Sequence, residues 1–82
     1  MPDTVVVTIN WNKESADFEL PVKAPFEKWV DALKEAVKHS FYGIRVEDKE
    51  ISLLFHGKAI PKDATLAECS IFDGEILVLQ VK

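Results

Sequence analysis

The sequence contains one thiol and two imidazole side chains that could serve in nucleophilic catalysis or zinc binding: Cys69, His39 and His56. A cysteine nucleophile needs a neighbouring base to hold it as the thiolate. Cys69 falls in a short segment between Leu66 and Ile71, where neither histidine is expected to reach it, so we predict a sheltered, inert thiol. A zinc ion needs about four ligands at recognisable spacing. The sequence therefore predicts no catalytic residue, no metal site, no cofactor and no enzymatic activity.

Composition narrows the class of protein further. The chain has 82 residues, 48% of them hydrophobic, which suits a single small domain over residues 1–82. A net charge of −4 argues against a nucleic-acid partner, because phosphate backbones are bound by clustered Lys and Arg. The lone cysteine predicts a reducing, intracellular location, cytoplasmic or nuclear. We expect no signal peptide, because the N-terminus has no basic leader. We also expect no membrane contact, because no apolar run approaches about 20 residues. We expect a monomer.

Two strands are predicted at the start of the chain. Thr4 to Asn10 is β-branched at every position before Asn10, and we interpret it as an alternating strand. Phe18, Leu20 and Val22 recur at every second position, which indicates a strand with one buried face. The mostly polar stretch from Trp11 to Asp17 is predicted to be the turn of a hairpin.

A helix is predicted to follow Pro25, because proline suits the first helical turn, where its missing N–H costs nothing. It should end near His39 or Ser40, with Gly43 shortly beyond. Five apolar residues recur at helical spacing and share one face: Phe26, Trp29, Val30, Leu33 and Val37. Two ion pairs are predicted on the opposite side: Asp31 with Lys34, and Glu35 with Lys38.

The second half of the chain contains two longer apolar runs, Ile51 to Phe55 and Ile76 to Val81, which predict strands. Tight turns are expected at Gly57 and Gly74, since glycine reaches positive φ without steric cost. The remaining short elements are predicted as a return strand at Ala59 and Ile60 and one helical turn from Thr65 to Cys69.

A longer motif joins these elements: strand, F-x-G-K, an apolar residue, T-L, I, D-G and strand. The residues that carry it are Leu53, Leu54, Phe55, Gly57, Lys58, Ile60, Thr65, Leu66, Ile71, Leu77, Val78 and Leu79. This order, from Glu50 to Lys82, resembles the second half of ubiquitin, and Val7 to Lys13 is similar to the first strand and turn of ubiquitin-like modules within larger proteins. The resemblance implies an α+β fold, the ubiquitin-like β-grasp. Such a fold has a mixed sheet of four to five strands, the last beside the first, with one main helix packed across one face.

Alternation along the strands assigns residues to the two faces of the sheet. The predicted core beneath the helix contains Val7, Ile9, Phe18, Leu20, Trp29, Leu33, Leu53, Phe55, Leu77 and Leu79. Leu54 and Val78 then point outward on adjacent strands, close enough for a cross-strand pair. By resemblance they match the recognition patch of ubiquitin-like domains, so Leu54, Val78, His56, Lys58 and Gln80 are predicted to bind a protein. The alternative is that both aliphatic side chains only stabilise the sheet.

The resemblance implies a non-conjugated binding module that docks its host onto the proteasome or a ubiquitin-pathway partner, such as a proteasomal ubiquitin receptor or a ubiquitin-binding module. One alternative is a covalent modifier or sulfur carrier, truncated at Lys82 before its Gly-Gly tail. Another is a β-grasp module for a non-ubiquitin assembly, such as one with small GTPases, an acidic-patch heterodimer or a bacterial secretion component. Trp11 either closes one end of the sheet or anchors a partner.

Overall fold

The computed structural model describes residues 3–82, and its first element is a tight hairpin. Strand β1, Thr4–Trp11, pairs antiparallel with β2, Glu14–Pro21. Only Asn12 and Lys13 connect them, with φ of 49° and 68°. Two left-handed residues define a type I′ turn, whose twist matches that of the flanking strands. The predicted turn over residues 11–17 is therefore wrong, because most of that stretch continues the ladder.

Helix α1, Phe26–Ser40, follows an extended Pro25 and confirms the predicted helix. The side chains that it buries are Phe26, Trp29, Leu33 and Val37. The Trp29 indole Nε1 donates a hydrogen bond of 3.0 Å to the carbonyl oxygen of Ala24, which satisfies its polar atom at the edge of the core. The Phe41 N–H closes the last turn on the Val37 carbonyl, and Gly43 follows at φ 76°.

The end of α1 is tied to the next segment through Lys38. Its Nζ lies 3.2 Å from Glu35 Oε1, as predicted, and also 3.4 Å from Glu47 Oε1. The hydrogen bond to Glu35 is the main cause that raises the pKa of Lys38. The pKa of Glu47 is lowered, first by its own backbone N–H and then by Lys38. The predicted pair of Asp31 with Lys34 is not among the ion pairs formed within residues 3–82.

Three more strands complete one mixed sheet: β3 (Ile51–Phe55), β4 (Lys58–Ala59) and β5 (Ile76–Val81). The strand order is β2-β1-β5-β3-β4, with β5 parallel to β1 and antiparallel to β3. The last strand thus lies beside the first in the middle of the sheet, as the resemblance implied. The return strand β4 is one residue earlier than predicted, although the Ile60 N–H still donates to the Leu53 carbonyl at 2.9 Å.

The segment between β4 and β5 makes a capped turn at Thr65. The Glu68 carboxylate accepts a 2.8 Å hydrogen bond from the Thr65 N–H, and the Thr65 hydroxyl oxygen accepts one of 3.1 Å from the Glu68 N–H. This reciprocal pair is a capping box. It anchors Leu66 and Ile71, both fully buried, and leaves Cys69 half-buried against the core.

One core lies between α1 and the inner face of the sheet. Nine of the ten predicted core residues are buried, and the exception is Phe55. Phe55 ends its strand beside the turn, where its ring meets that of His56 edge-on at 4.1 Å between centroids. The loop after α1 adds Phe41, Ile44 and Val46 to the core.

Candidate interaction surface on the outer face of the sheet

The outer face of the sheet carries a small group of aliphatic side chains. Leu54 of β3 lies directly opposite Val78 of β5 in the antiparallel ladder, as alternation predicted. Ile76 lies two residues before Val78 on the same face. The exposed fractions are 58% for Ile76 and 45% for Val78, and Leu54 is half-exposed. We call Leu54, Ile76 and Val78 the sheet patch.

A shallow depression of about 410 Å³ lies over this patch. Its lining consists of Leu54, His56, Gly57, Gly74, Glu75, Ile76 and Val78. The floor is aliphatic, whereas His56 and Glu75 provide polar groups at the rim. This arrangement suits a protruding apolar side chain of another protein, because small apolar patches with polar rims are typical of transient contacts.

Backbone hydrogen bonds place Ile76 in the patch. The Gly74 N–H donates to the Val6 carbonyl at 2.9 Å, and the Thr8 N–H donates to the Glu75 carbonyl at 3.0 Å. Gly74 has a φ of 86°, which a residue with a side chain rarely adopts. The chain therefore enters β5 beside β1 at a fixed register, with Ile76 opposite Thr8.

The structure brings three of the five predicted binding residues together, namely Leu54, Val78 and His56. Lys58 pairs with Phe55, so it is Ala59 that lies opposite Leu54. Gln80 is exposed and lies opposite Ser52, one outward position beyond Val78. Binding through these five residues stays a prediction.

Ile76 is the residue that the predicted site omitted. Its signal was present in the sequence, because Ile76 alternates with Leu77 and must share the face of Val78. Its position beside Thr8, however, depends on the parallel pairing of β1 with β5.

A second depression, of about 310 Å³, lies between α1 and the start of β3. Its lining consists of Phe26, Glu27, Val30, Lys34, Glu50, Ile51, Ser52, Ile60, Lys62 and Lys82. The apolar residues at its base belong to the core, and charges of both signs surround it.

The residues considered for catalysis or metal binding lie in surroundings that do not activate them. Burial, together with the nearby Glu68, raises the pKa of the Cys69 thiol and disfavours the thiolate. In the part of the chain that the structure describes, no three His, Cys, Asp or Glu side chains are arranged to hold a metal ion. Residues 3–82 also contain no helix with the length and apolar character to cross a membrane.

Trp11 packs at one end of the sheet. Its ring lies 5.9 Å from that of Phe41, which in turn lies 6.0 Å from that of Phe18, both in tilted arrangements. Trp11 is half-buried against the core. This packing favours a structural role for Trp11, closing one end of the sheet, over a role as an anchor for a partner.

A protein-family comparison identifies the fold's relatives. Residues 4–79 match the model for YukD, a protein of the WXG100 protein secretion system. The chain belongs to the YukD family. A comparison with curated proteins finds no match.

Solved structures agree with this membership at the level of the fold. The ubiquitin-like domain of EccD5 from Mycobacterium xenopi superposes with a TM-score of 0.81 at 20% identity, covering 99% of this chain and 97% of that one. The ubiquitin-like domain of the type VII secretion protein ECCD1 from Mycobacterium tuberculosis has a TM-score of 0.78 at 20% identity, covering 93% and 96%. Protomer 1 of an ESX-3 core complex has a TM-score of 0.73 at 26% identity, covering 94% of this chain and only 16% of that longer one.

Membership of the YukD family corrects several expectations. The ubiquitin-like β-grasp fold is confirmed, but docking onto the proteasome, a proteasomal ubiquitin receptor or a ubiquitin-pathway partner is wrong, and so is a nuclear location. Most residues of the motif between Glu50 and Lys82 lie in the core or in turns, where they specify the fold and not the partner. The alternative of a β-grasp module for a non-ubiquitin assembly is the one that the family supports. The solved structure of an ESX-5 inner membrane complex is also similar in fold, with a TM-score of 0.78 at 19% identity, covering 99% of this chain and 21% of that one.

Proposed function

We propose that this chain is a ubiquitin-like interaction module of a WXG100 (type VII) secretion assembly, and that it docks onto another protein of that assembly through the sheet patch. The observation that carries the proposal is the family match over residues 4–79. The exposed aliphatic patch supplies the surface. The partner is then a component of a membrane-associated complex, by analogy with relatives from ESX-3 and ESX-5 complexes.

The size of the patch sets the strength of the contact. Full burial of one aliphatic side chain contributes roughly 1.5–3 kcal/mol, and Ile76 and Val78 are already about half-buried. Each would therefore add about 1 kcal/mol on docking. A contact built on three such residues is weak by itself, roughly millimolar or weaker. Binding of this strength suits a module whose host is held in the assembly by other contacts as well.

The module acts by binding alone in this proposal, without catalysis of its own. The thiol is disfavoured as a nucleophile, and the candidate surface contains no cluster of groups that would activate a substrate.

The test is a titration of the isotope-labelled chain with the purified components of the secretion system from its own organism. We expect one component to shift the amide resonances of Leu54, Ile76 and Val78. Leu54→Ala and Val78→Ser should each weaken that binding about fivefold, because each removes about 1 kcal/mol of contact.

Tyr42→Ser provides the matched control. Tyr42 is 90% exposed and lies in the loop after α1, where its N–H faces Glu14. The Tyr42→Ser variant should bind the same component with the affinity of the wild type. Resonance shifts on α1 in place of β3 and β5, or full affinity in both patch variants, would overturn the proposal.

A further inference from the structure

Three carboxylates lie along one side of the sheet patch. Asp17 and Glu19 alternate on the outer face of β2, and Asp73 lies in the segment that leads into β5. We call Asp17, Glu19 and Asp73 the acidic row. All three side chains are exposed.

Neutral donors hold each of these carboxylates in place. The Thr8 hydroxyl donates to Asp17 Oδ1 at 2.8 Å, and the Thr4 hydroxyl donates to Glu19 Oε2 at 2.7 Å. The Val6 N–H donates to Asp73 Oδ1 at 2.7 Å. These bonds orient the carboxylates without neutralising them. A cation that binds them therefore loses less free energy to the ordering of their side chains.

Within residues 3–82, no Lys, Arg or His side chain forms an ion pair with the acidic row. The ion pairs formed within the described residues join Lys23 to Asp3 and Lys38 to Glu35 and Glu47. Lys58 is at the other edge of the sheet, since β2 and β4 are its outermost strands. The uncompensated negative charge is therefore concentrated on the β1–β2 side of the outer face.

The acidic row and the sheet patch form one continuous surface. Asp17 lies opposite Thr8, and Thr8 lies opposite Ile76, so two strand spacings of roughly 10 Å in total separate the carboxylate from the aliphatic side chain. Val6 lies opposite Glu19 on β1, and it is 47% exposed. A single segment of a partner is wide enough to contact both kinds of group.

We propose that this face binds a basic amphipathic segment of a protein, which places Arg or Lys side chains on the acidic row and an aliphatic side chain on the sheet patch. This inference rests on the proposed function and specifies the chemistry of the partner. A second copy of the chain would set like charges against each other on this face. Nucleic acid is disfavoured by the same negative charge. A guanidinium group matches a carboxylate in a bidentate manner, so Arg is the better partner residue.

The test uses two short synthetic peptides of equal length that carry a cluster of leucines at the same end. One peptide has Arg at the remaining positions and the other has Glu. We expect the Arg peptide to shift the amide resonances of the acidic row and the sheet patch together, and the Glu peptide to shift neither. Affinity for the Arg peptide should fall as salt is added, because exposed ion pairs are screened.

A neutralised triple variant, Asp17→Asn, Glu19→Gln and Asp73→Asn, should bind the Arg peptide roughly tenfold more weakly, because it loses three exposed ion pairs. Each replacement keeps an oxygen that accepts the same hydrogen bond, so the fold is preserved. The control triple variant, Asp31→Asn, Asp48→Asn and Asp63→Asn, changes net charge equally at exposed positions off this face and should bind normally.

Equal losses in both triple variants would overturn the inference, since net charge alone would then explain binding. Binding of the Glu peptide to this face, or concentration-dependent shifts of the same amides in the free chain, would overturn it in favour of an acidic partner or a second copy. A separate result distinguishes the failure of this inference from the failure of the proposed function. A secretion component that needs Val78 but tolerates the neutralised triple variant upholds the docking surface and rejects the basic partner.

Discussion

Cys69 shows how its surroundings decide what a single residue does. Its side chain packs half-buried against the core, after the capped turn at Thr65. Burial is the main cause that raises the pKa of its thiol, and the charge of Glu68 adds to it. Both effects favour the neutral thiol, which is a poor nucleophile.

We expect a thiol reagent at mildly alkaline pH to label Cys69 more slowly in the native chain than in the urea-unfolded chain. The raised pKa also links stability to pH: its contribution is present below the pKa of the unfolded thiol and is lost as pH rises from there through the higher folded value. The free energy of unfolding should thus fall more steeply above that pH in the wild type than in Cys69→Ser. Equal labelling rates for the native and unfolded chains would contradict this account.

Elements depend on short turns that impose their own backbone demands. The β1–β2 hairpin turns at Asn12 and Lys13, and the β3–β4 hairpin turns at His56 and Gly57, all with positive φ. Asn and Gly tolerate the left-handed region, whereas Lys13 and His56 are strained there. Pairing of the flanking strands offsets this strain, and both turns set the register of strands on the outer face.

Replacement of Lys13 by Gly should stabilise the chain by about 1 kcal/mol, since Asn-Gly is the preferred type I′ pair and the left-handed penalty of Lys13 is removed. Lys13→Ala loses the same charge but keeps the penalty, so it should not stabilise. The measurement is the free energy of urea unfolding for the three chains. A stabilisation shared by Gly and Ala would mean that charge, and not backbone strain, is responsible.

At the scale of the whole molecule, one strand separates the core from the recognition surface. Leu77 is fully buried beneath α1, while its neighbour Val78 is 45% exposed on the sheet patch. The same backbone therefore serves stability on one face and binding on the other.

Leu77→Ala should cost about 2–5 kcal/mol of stability, the range for truncation of a filled core site. Val78→Ala should cost less than about 1 kcal/mol, because its side chain already contacts water. Urea unfolding midpoints of the two variants test this difference directly. Similar costs at both positions would show that the face assignment of β5 is wrong.

The sequence by itself determined the elements and their faces, because these depend on local periodicity. Alternation placed Leu77 inside and Val78 outside, and helical spacing placed Trp29 and Leu33 toward the sheet. The motif order between Glu50 and Lys82 was enough for the ubiquitin-like fold. It did not reveal the pathway, which came from family membership.

Only the tertiary structure decided which distant residues share a surface. The predicted turn over residues 11–17 was wrong because a two-residue turn let Asp17 join the ladder. The parallel pairing of β1 with β5 then set Ile76 opposite Thr8, across the sheet from Asp17. Strand register between segments 68 residues apart is selected by packing of the whole core, and no local pattern encodes it.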